Sequence, residues 1–238
     1  MASKEHIKSQ PSTEEQLRRY EARSPEEQEA RRVARRTRRA ASKARHDKKK
    51  GNRLKNQAQC FPSLDERTYV CIDLEQFEWN QKTLTEVGIT VFDAKFNNVE
   101  TTHIIVKENR NKRNKKFVCD NKDNFLFGKS IVMTLAQTKQ ALRKTLRRFP
   151  NVVGHAVRGD LKYLNGMGLV TDHVTVYDTA VMHQILKQQD NTTKLSTCCE
   201  EYGIAHEAPH NAANDSHVNT YLFAFLREQM LTTSAKAA

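Results

Sequence analysis

A chain of 238 residues and 27.4 kDa with a formal net charge of +12 suits one domain of ordinary size with a tail and leaves no room for two large domains. It holds no apolar run of about eighteen residues, and its first residues (MASKEHIKSQPSTEEQ) lack both an apolar signal core and the acid-poor character of a transit peptide, so neither a membrane span nor a secretory route is expected. Five cysteines, an odd number without a CxxC spacing, argue for reduced thiols in the cytosol or nucleus.

The positive charge is concentrated. Residues 31–55 hold thirteen Lys and Arg against one acid, Asp47, whereas residues 56–238 carry a net charge of only +2. Ser24 is placed to cap a helix with Pro25 at its first position and Glu26 and Glu27 behind it, and the Ala- and Arg-rich run that follows is helical in composition but has no apolar face. Residues 1–62 are therefore expected to form a basic, largely disordered or conditionally helical arm, with Gly51 to Pro62 as linker, ahead of a domain over 63–238. Two readings of the arm stand: a solvated charged tail, or a nucleic-acid grip or nuclear-localisation patch, since such runs gain most of their energy by displacing counterions from phosphates.

Within the domain, TYVCIDL (68–74), LTEVGITVFD (84–93) and VETTHIIVK (99–107) read as strands of a meander. A polar, basic connection leads to a helix over 135–149 with Leu135, Leu142 and Leu146 on one face. A strand at 151–155, a helix over 158–167, a strand at 174–178 and helices near 179–188, 194–202 and 211–230 complete the chain. Strands first and strand–helix alternation afterwards predict an α/β fold with a mixed sheet flanked by helices. In the last helix, Val218, Leu222 and Phe225 step by three and four, and one further step lands on Asp215, a carboxylate in an apolar stripe.

Other acids offer that carboxylate company. CIDLEQF places Asp73 and Glu75 on the same face of a strand, with Cα atoms about 6.6 Å apart, close enough to converge on one ion or straddle two. Asp160 follows an apolar strand in GHAVRGDLKYL and begins a helix; taken alone it is equally well a cap. Carboxylates gathered at one site repel by about 4 kcal/mol per close pair at an effective dielectric of 20, so they call for compensating cations. Carboxylate-and-water sites favour Mg²⁺ or Mn²⁺. The adjacent Cys198 and Cys199, near His206 and His210, are not expected to hold zinc, because neighbouring cysteines rarely point to one tetrahedral site.

These residues resemble a family. IDLE, GHAVRGDLKYL and HNAANDS look like the three motifs, in order, of the DEDDh (DnaQ-like) 3′–5′ exonucleases of the ribonuclease H-like fold, over roughly Tyr69 to Phe225. The connection ENRNKRNKKFVCDNKDNFLFG further resembles a less characterised, largely fungal branch. The resemblance implies two metal ions held by Asp73, Glu75, Asp160 and Asp215, with His210, five residues before the last Asp, accepting a proton from the attacking water. His103, His155, His183, His206 and His217 have no comparable case and are read as structural or solvated. Two positions depart from the family pattern: Gln76 stands where Thr is common and Ala156 where Asn is common, which bears on the grip on the terminal nucleotide.

KENRNKRNKK (107–116) holds six basic residues in ten and reads as a loop that guides single-stranded nucleic acid through Arg110, Lys112, Arg113, Lys115 and Lys116. Gln76, Phe77 and Trp79, just after the DxE, are the candidate contacts to a terminal nucleotide; Trp79 is the stacking candidate, and Phe77 serves equally well as core. The expectation is a metal-dependent 3′–5′ exonuclease releasing nucleoside 5′-monophosphates, acting on single-stranded RNA in preference to DNA, in the nucleus or cytoplasm. The alternatives are a nucleic-acid-binding protein with the same fold and negligible turnover, and an adaptor whose basic arm does the work.

Overall fold

The computed structural model describes residues 24–58, 67–96, 98–169 and 173–237. Residues 1–23 of the arm, Cys60 and the end of the expected linker lie outside them. The chain divides into two compact units, Met1–Arg53 and Leu54–Ala238. Helix α1 (Pro25–Ala58) opens on a capping box, with the Ser24 hydroxyl accepting from the Glu27 N–H at 3.2 Å and the Glu27 carboxylate accepting from the Ser24 N–H at 3.3 Å. Val33 is 51 % exposed, as an Arg-rich helix without an apolar stripe requires. The helix runs through Gly51 to Ala58, so the expected linker starts later than its composition suggests.

The second unit is built on a six-stranded sheet of order β4-β3-β2-β1-β5-β6. β1 (Thr68–Phe77), β2 (Asn80–Asp93) and β3 (Val99–Val106) form the antiparallel meander, and β5 (Asn151–Gly154) and β6 (Thr175–Asp178) add parallel strands beyond β1. A short β4 (Ile131–Met133), parallel to β3, was not anticipated; three residues with two exposed side chains carry no periodic signal. The helices are α2 (Leu135–Arg148), α3 (Arg158–Gly166), α4 (Thr179–Leu186), α5 (Leu195–Glu201) and α6 (Ala212–Ala237). An antiparallel meander extended by parallel strands, with helices on both faces, is the ribonuclease H-like arrangement expected from the motifs.

Alternation along β1 sorts its side chains between two cores. Val70, Ile72 and Leu74 pack with Leu142, Leu146 and Leu164 of α2 and α3. Tyr69 and Cys71 face the other way, into an aromatic cluster with Phe92, Tyr177 and Phe223, and the same period of two puts Asp73 and Glu75 on this side. α6 covers it with Val218, Leu222, Leu226 and Met230. Phe225, expected in the buried stripe, is instead 36 % exposed; from Leu222 the buried row takes the step of four to Leu226 rather than the step of three.

One residue allows α6 to come this close. Gly88 pairs with Asp73 across β1 and β2, and a Cβ built on it would stand 1.9 Å from the Ala212 carbonyl oxygen, which is backbone and cannot swing aside. Gly88→Ala is therefore expected to cost about 3 kcal/mol, at the upper end for overpacked cores, read by urea denaturation; a loss below 0.5 kcal/mol would show that α6 does not need this approach.

Candidate active site

Three chain segments meet above the end of β1. The first is β1 itself, whose pairing with β2 shifts register between Glu75 and Gln76 and again between Gln76 and Phe77. Irregularities of this kind bend a strand and re-aim its side chains. The second is the turn from β5 into α3, which brings Asp160 over the strand end. Ala156 in this turn has φ of +53°, and its N–H is held by the Asp178 carboxylate at 2.9 Å, which also caps α4 through the Ala180 N–H at 3.1 Å. His155 is spent on structure, with Nδ1 2.9 Å from the Thr179 hydroxyl and Nε2 2.8 Å from the Thr193 carbonyl.

The third segment is the entry to α6. The Asn211 side chain caps the helix, its Oδ1 accepting from the N–H groups of Ala213 and Asn214 at 3.1 Å each. Just before it, Ala208 and His210 adopt positive φ of 45° and 64°, a conformation in which non-glycine residues are uncommon and which suits a functional turn. Asp215 lies in the first turn, 8 % exposed. One carboxylate oxygen is 2.7 Å from His206 Nε2, and the other accepts from the His210 N–H at 3.1 Å. With a carboxylate as its partner, His206 carries its proton on Nε2.

Ligand atoms of Glu75, His210 and Asp215 all lie within 4.8 Å of one another, with His210 Nδ1 3.9 Å from a Glu75 oxygen. The carboxyl of Asp73 is pushed well above the usual range by burial, then by the charges of Asp215, Asp160, Glu75 and Glu86. Glu75 is raised likewise by burial and by Glu86, Asp215 and Asp160, with Lys122 opposing. Burial raises Asp160 to about 7, against hydrogen bonds from its own N–H and that of Leu74. Asp73 and Glu75 thus feel the neighbouring acids, and the cluster contains more negative charge than its fixed partners neutralise. Oxygen donors with one imidazole, short of positive charge, fit hard divalent cations such as Mg²⁺ and Mn²⁺.

The basic connection is a wall rather than a free loop. The Glu78 carboxylate accepts from the N–H groups of Lys115, Lys116 and Phe117, and Asn114 joins the Gln76 carbonyl to the Glu78 N–H. From the other side, Asn211 donates to the Asn121 carbonyl at 3.0 Å and Asn214 to the Asn124 carbonyl at 2.8 Å. Arg113, half-buried, is paired with Asp120 at 2.8 Å and with Asp123, so its guanidinium already has partners. Arg110, Lys112, Lys115 and Lys116 are exposed. Gln76 and Phe77 are half-buried, Phe77 beneath the Lys112 ammonium at 5.4 Å.

Trp79 and Phe117 are 61 % and 68 % exposed, with ring centroids 6.0 Å apart and the Lys116 ammonium 4.6 Å from the Trp79 ring. A cleft of about 480 Å³ is lined by Phe117 and Val118, by Thr192 to Ser196, and by His206, His210 and Asp215. His206, Phe117, Glu86 and Lys122 are the participants that sequence reasoning missed. Only His206 had a local signal, a second histidine in the segment before the last motif.

Because Asp160 titrates near 7 when folded and near 3.9 when unfolded, the metal-free native state binds more protons than the unfolded chain between those values. The associated stability is present below about pH 4 and is lost as pH rises to about 7. In chelator, Asp160→Asn is expected to be more stable than wild type at pH 8, by at most about 4 kcal/mol, with the advantage vanishing near pH 4. Denaturant titrations at the two pH values measure this, and an equal effect at both would be incompatible with the shift.

Residues 68–225 match the DEDDh_C family, described as "DNA polymerase III subunit epsilon-like, C-terminal domain". Among curated proteins, the chain is 34 % identical over 219 residues to an uncharacterized nucleolar protein of Schizosaccharomyces pombe, covering 86 % of each. It is 28 % identical over 193 residues to "Good for full DBP5 activity protein 2" of Saccharomyces cerevisiae, with 64 % of this chain matched to 34 % of that one. The match thus spans about a third of that relative, and 44 % of an uncharacterized protein of the same yeast, which is 27 % identical. Similar solved structures include E. coli exonuclease I with a dT13 oligonucleotide (TM-score 0.47, 14 % identity, 71 % of this chain and 43 % of that one). Another is the RNase domain of yeast Pop2 (TM-score 0.46, 13 % identity, 77 % and 84 %). With its three motifs in order and more than half of its length matched, the chain belongs to the DEDDh exonuclease-like family, on a ribonuclease H-like fold.

Proposed function

We propose that this protein is a metal-dependent 3′–5′ exonuclease that releases nucleoside 5′-monophosphates from nucleic acid, RNA in preference to DNA. The observation that carries the reading is the grouping of Glu75, His210 and Asp215 from two separate segments within 4.8 Å, beside an Asp73 on which the charges of Asp215, Asp160 and Glu75 act. Asp73, Glu75, Asp160 and Asp215 would hold two Mg²⁺ or Mn²⁺ ions, which when bound polarise the scissile phosphodiester and acidify water. His210, 44 % exposed at its side chain, would accept a proton from the attacking water and release it to solvent. His206 orients Asp215 from behind. Trp79 and Phe117 offer π-faces to unpaired bases, and Lys112, Lys115, Lys116 and Arg110 offer charge to the strand.

The basic run over 31–55 supports a polyanionic partner, and the nucleolar description of the S. pombe relative favours RNA and a nuclear location. Among the described residues no helix is long and apolar enough to cross a membrane. A second reading, nucleic-acid binding with little turnover, draws on one observation: both Asp215 oxygens already have protein partners in His206 and the His210 N–H.

Purified protein with 5′-labelled single-stranded RNA and DNA, in Mg²⁺, Mn²⁺ or chelator, separates the two. The expected result is a metal-dependent ladder, abolished in Asp73→Ala and slowed about 10²–10⁴-fold in His210→Ala. Equal trace cleavage by wild type and both variants would leave the binding reading instead. For the arm, affinity for RNA is expected to fall by about 10³–10⁵ between 50 and 200 mM salt if 6–10 phosphates are engaged, and deletion of residues 1–60 to flatten that dependence. An unchanged slope would remove the arm from binding.

A further inference from the structure

A fifth carboxylate, Glu86, and a buried lysine, Lys122, act on Glu75 of the acidic centre. Glu86 stands directly opposite Glu75 across β1 and β2, and like charges in such a pair destabilise a sheet. It is 3 % exposed. His103, fully buried, holds it from behind through Nε2 at 3.1 Å, and His103 Nδ1 is itself 2.8 Å from the Ser130 hydroxyl. Glu86 is therefore locked in place next to the cluster.

Lys122 is 2 % exposed. A buried ammonium costs several kcal/mol unless something compensates it, yet Lys122 makes no ion pair within 4 Å among the described residues. Its Nζ donates to the Lys112 carbonyl at 2.5 Å. Burial lowers its pKa, and Glu86 is the chief opposing charge; its own field favours the charged form of Glu75. The Asn211 side chain, which caps the helix carrying Asp215, donates to the Lys122 carbonyl at 3.3 Å. The lysine is thus tied to the same backbone that positions the third motif.

We propose that Lys122 is a resident cation of the acidic centre, a positioning residue that offsets Glu86 and sets how tightly the centre holds divalent cations. Among the acids of the centre the charges balance on this assignment, with Arg113, Asp120 and Asp123 as the other charges that act on Lys122. Asp73, Glu75, Glu86, Asp160 and Asp215 bring five negative charges, two divalent ions supply four positive ones, and the Lys122 ammonium completes the set. The inference rests on the metal-dependent reading above and adds to it a fixed charge that no motif contains.

Mn²⁺ titration by calorimetry, without substrate, tests it on the full-length protein. Lys122→Met removes a repelling charge and is expected to tighten Mn²⁺ binding by on the order of tenfold, while Glu86→Gln weakens it by a similar factor. The double variant is expected to return to within about threefold of wild type, and Lys122→Arg, which keeps the charge, to match it. A purely structural lysine would give weaker, not tighter, binding on removal. Unchanged or weaker binding in Lys122→Met, with wild type binding Mn²⁺ normally, overturns the inference alone; absence of binding by wild type overturns the metal-dependent reading as well. Should Lys122→Met not fold, the double variant, with no charge left unbalanced, carries the test, and an affinity more than about tenfold from wild type would sink the proposal.

Discussion

Several carboxylates held a few ångströms apart inside a protein repel one another by several kcal/mol per pair, and the end of β1 gathers such a set. Much of the surrounding structure acts to keep them together. Gly88 removes the side chain that would hold α6 away, the register shift at Glu75 re-aims β1, and His206 and the His210 N–H hold both oxygens of Asp215. Left without counter-charge, the acids are driven toward protonation: burial and mutual repulsion raise Asp73 and Glu75, and burial raises Asp160. A fold selected for stability alone would not concentrate charge in this way.

The connection between β3 and α2 shows a second use of the same polar economy. Its residues are hydrophilic because they make specific hydrogen bonds. Glu78 gathers three consecutive N–H groups, and Asn114, Asn121, Asn211 and Asn214 tie the segment to both β1 and α6. Main-chain groups near a site must find partners when water is excluded, and short amides reach them without adding charge. The outcome is a fixed wall on which Phe117 and Lys116 stand beside Trp79, so that aromatic faces and ammonium groups are presented together at the mouth of the cleft.

The two departures from the family pattern fall at backbone positions with local tasks. The Gln76 carbonyl accepts from Asn114, and the Ala156 N–H is held by Asp178 while its own φ is positive. At both places the main chain engages the wall or the turn, and Ala156 also lines the cleft.

Local sequence determined the strands of the meander, the helices and their capping at Ser24, and the three acidic motifs, because alternation of two, steps of three and four, and short-range caps are all properties of neighbouring residues. It also marked Asp215 as an anomaly in an apolar stripe. Several features lay beyond that reach. Phe225 turned outward because the stripe on α6 curves toward Leu226, which only the packed sheet selects. Arg113 spends its charge on Asp120 and Asp123, so a count of basic residues overstated the surface charge. His206, Glu86 and Lys122 come from a loop, a strand and a polar connection with no shared period, and only the tertiary structure decided that the first meets Asp215 and the other two act on Glu75. Electrostatic interaction depends on distance through space, and chain order constrains that distance only within a few residues.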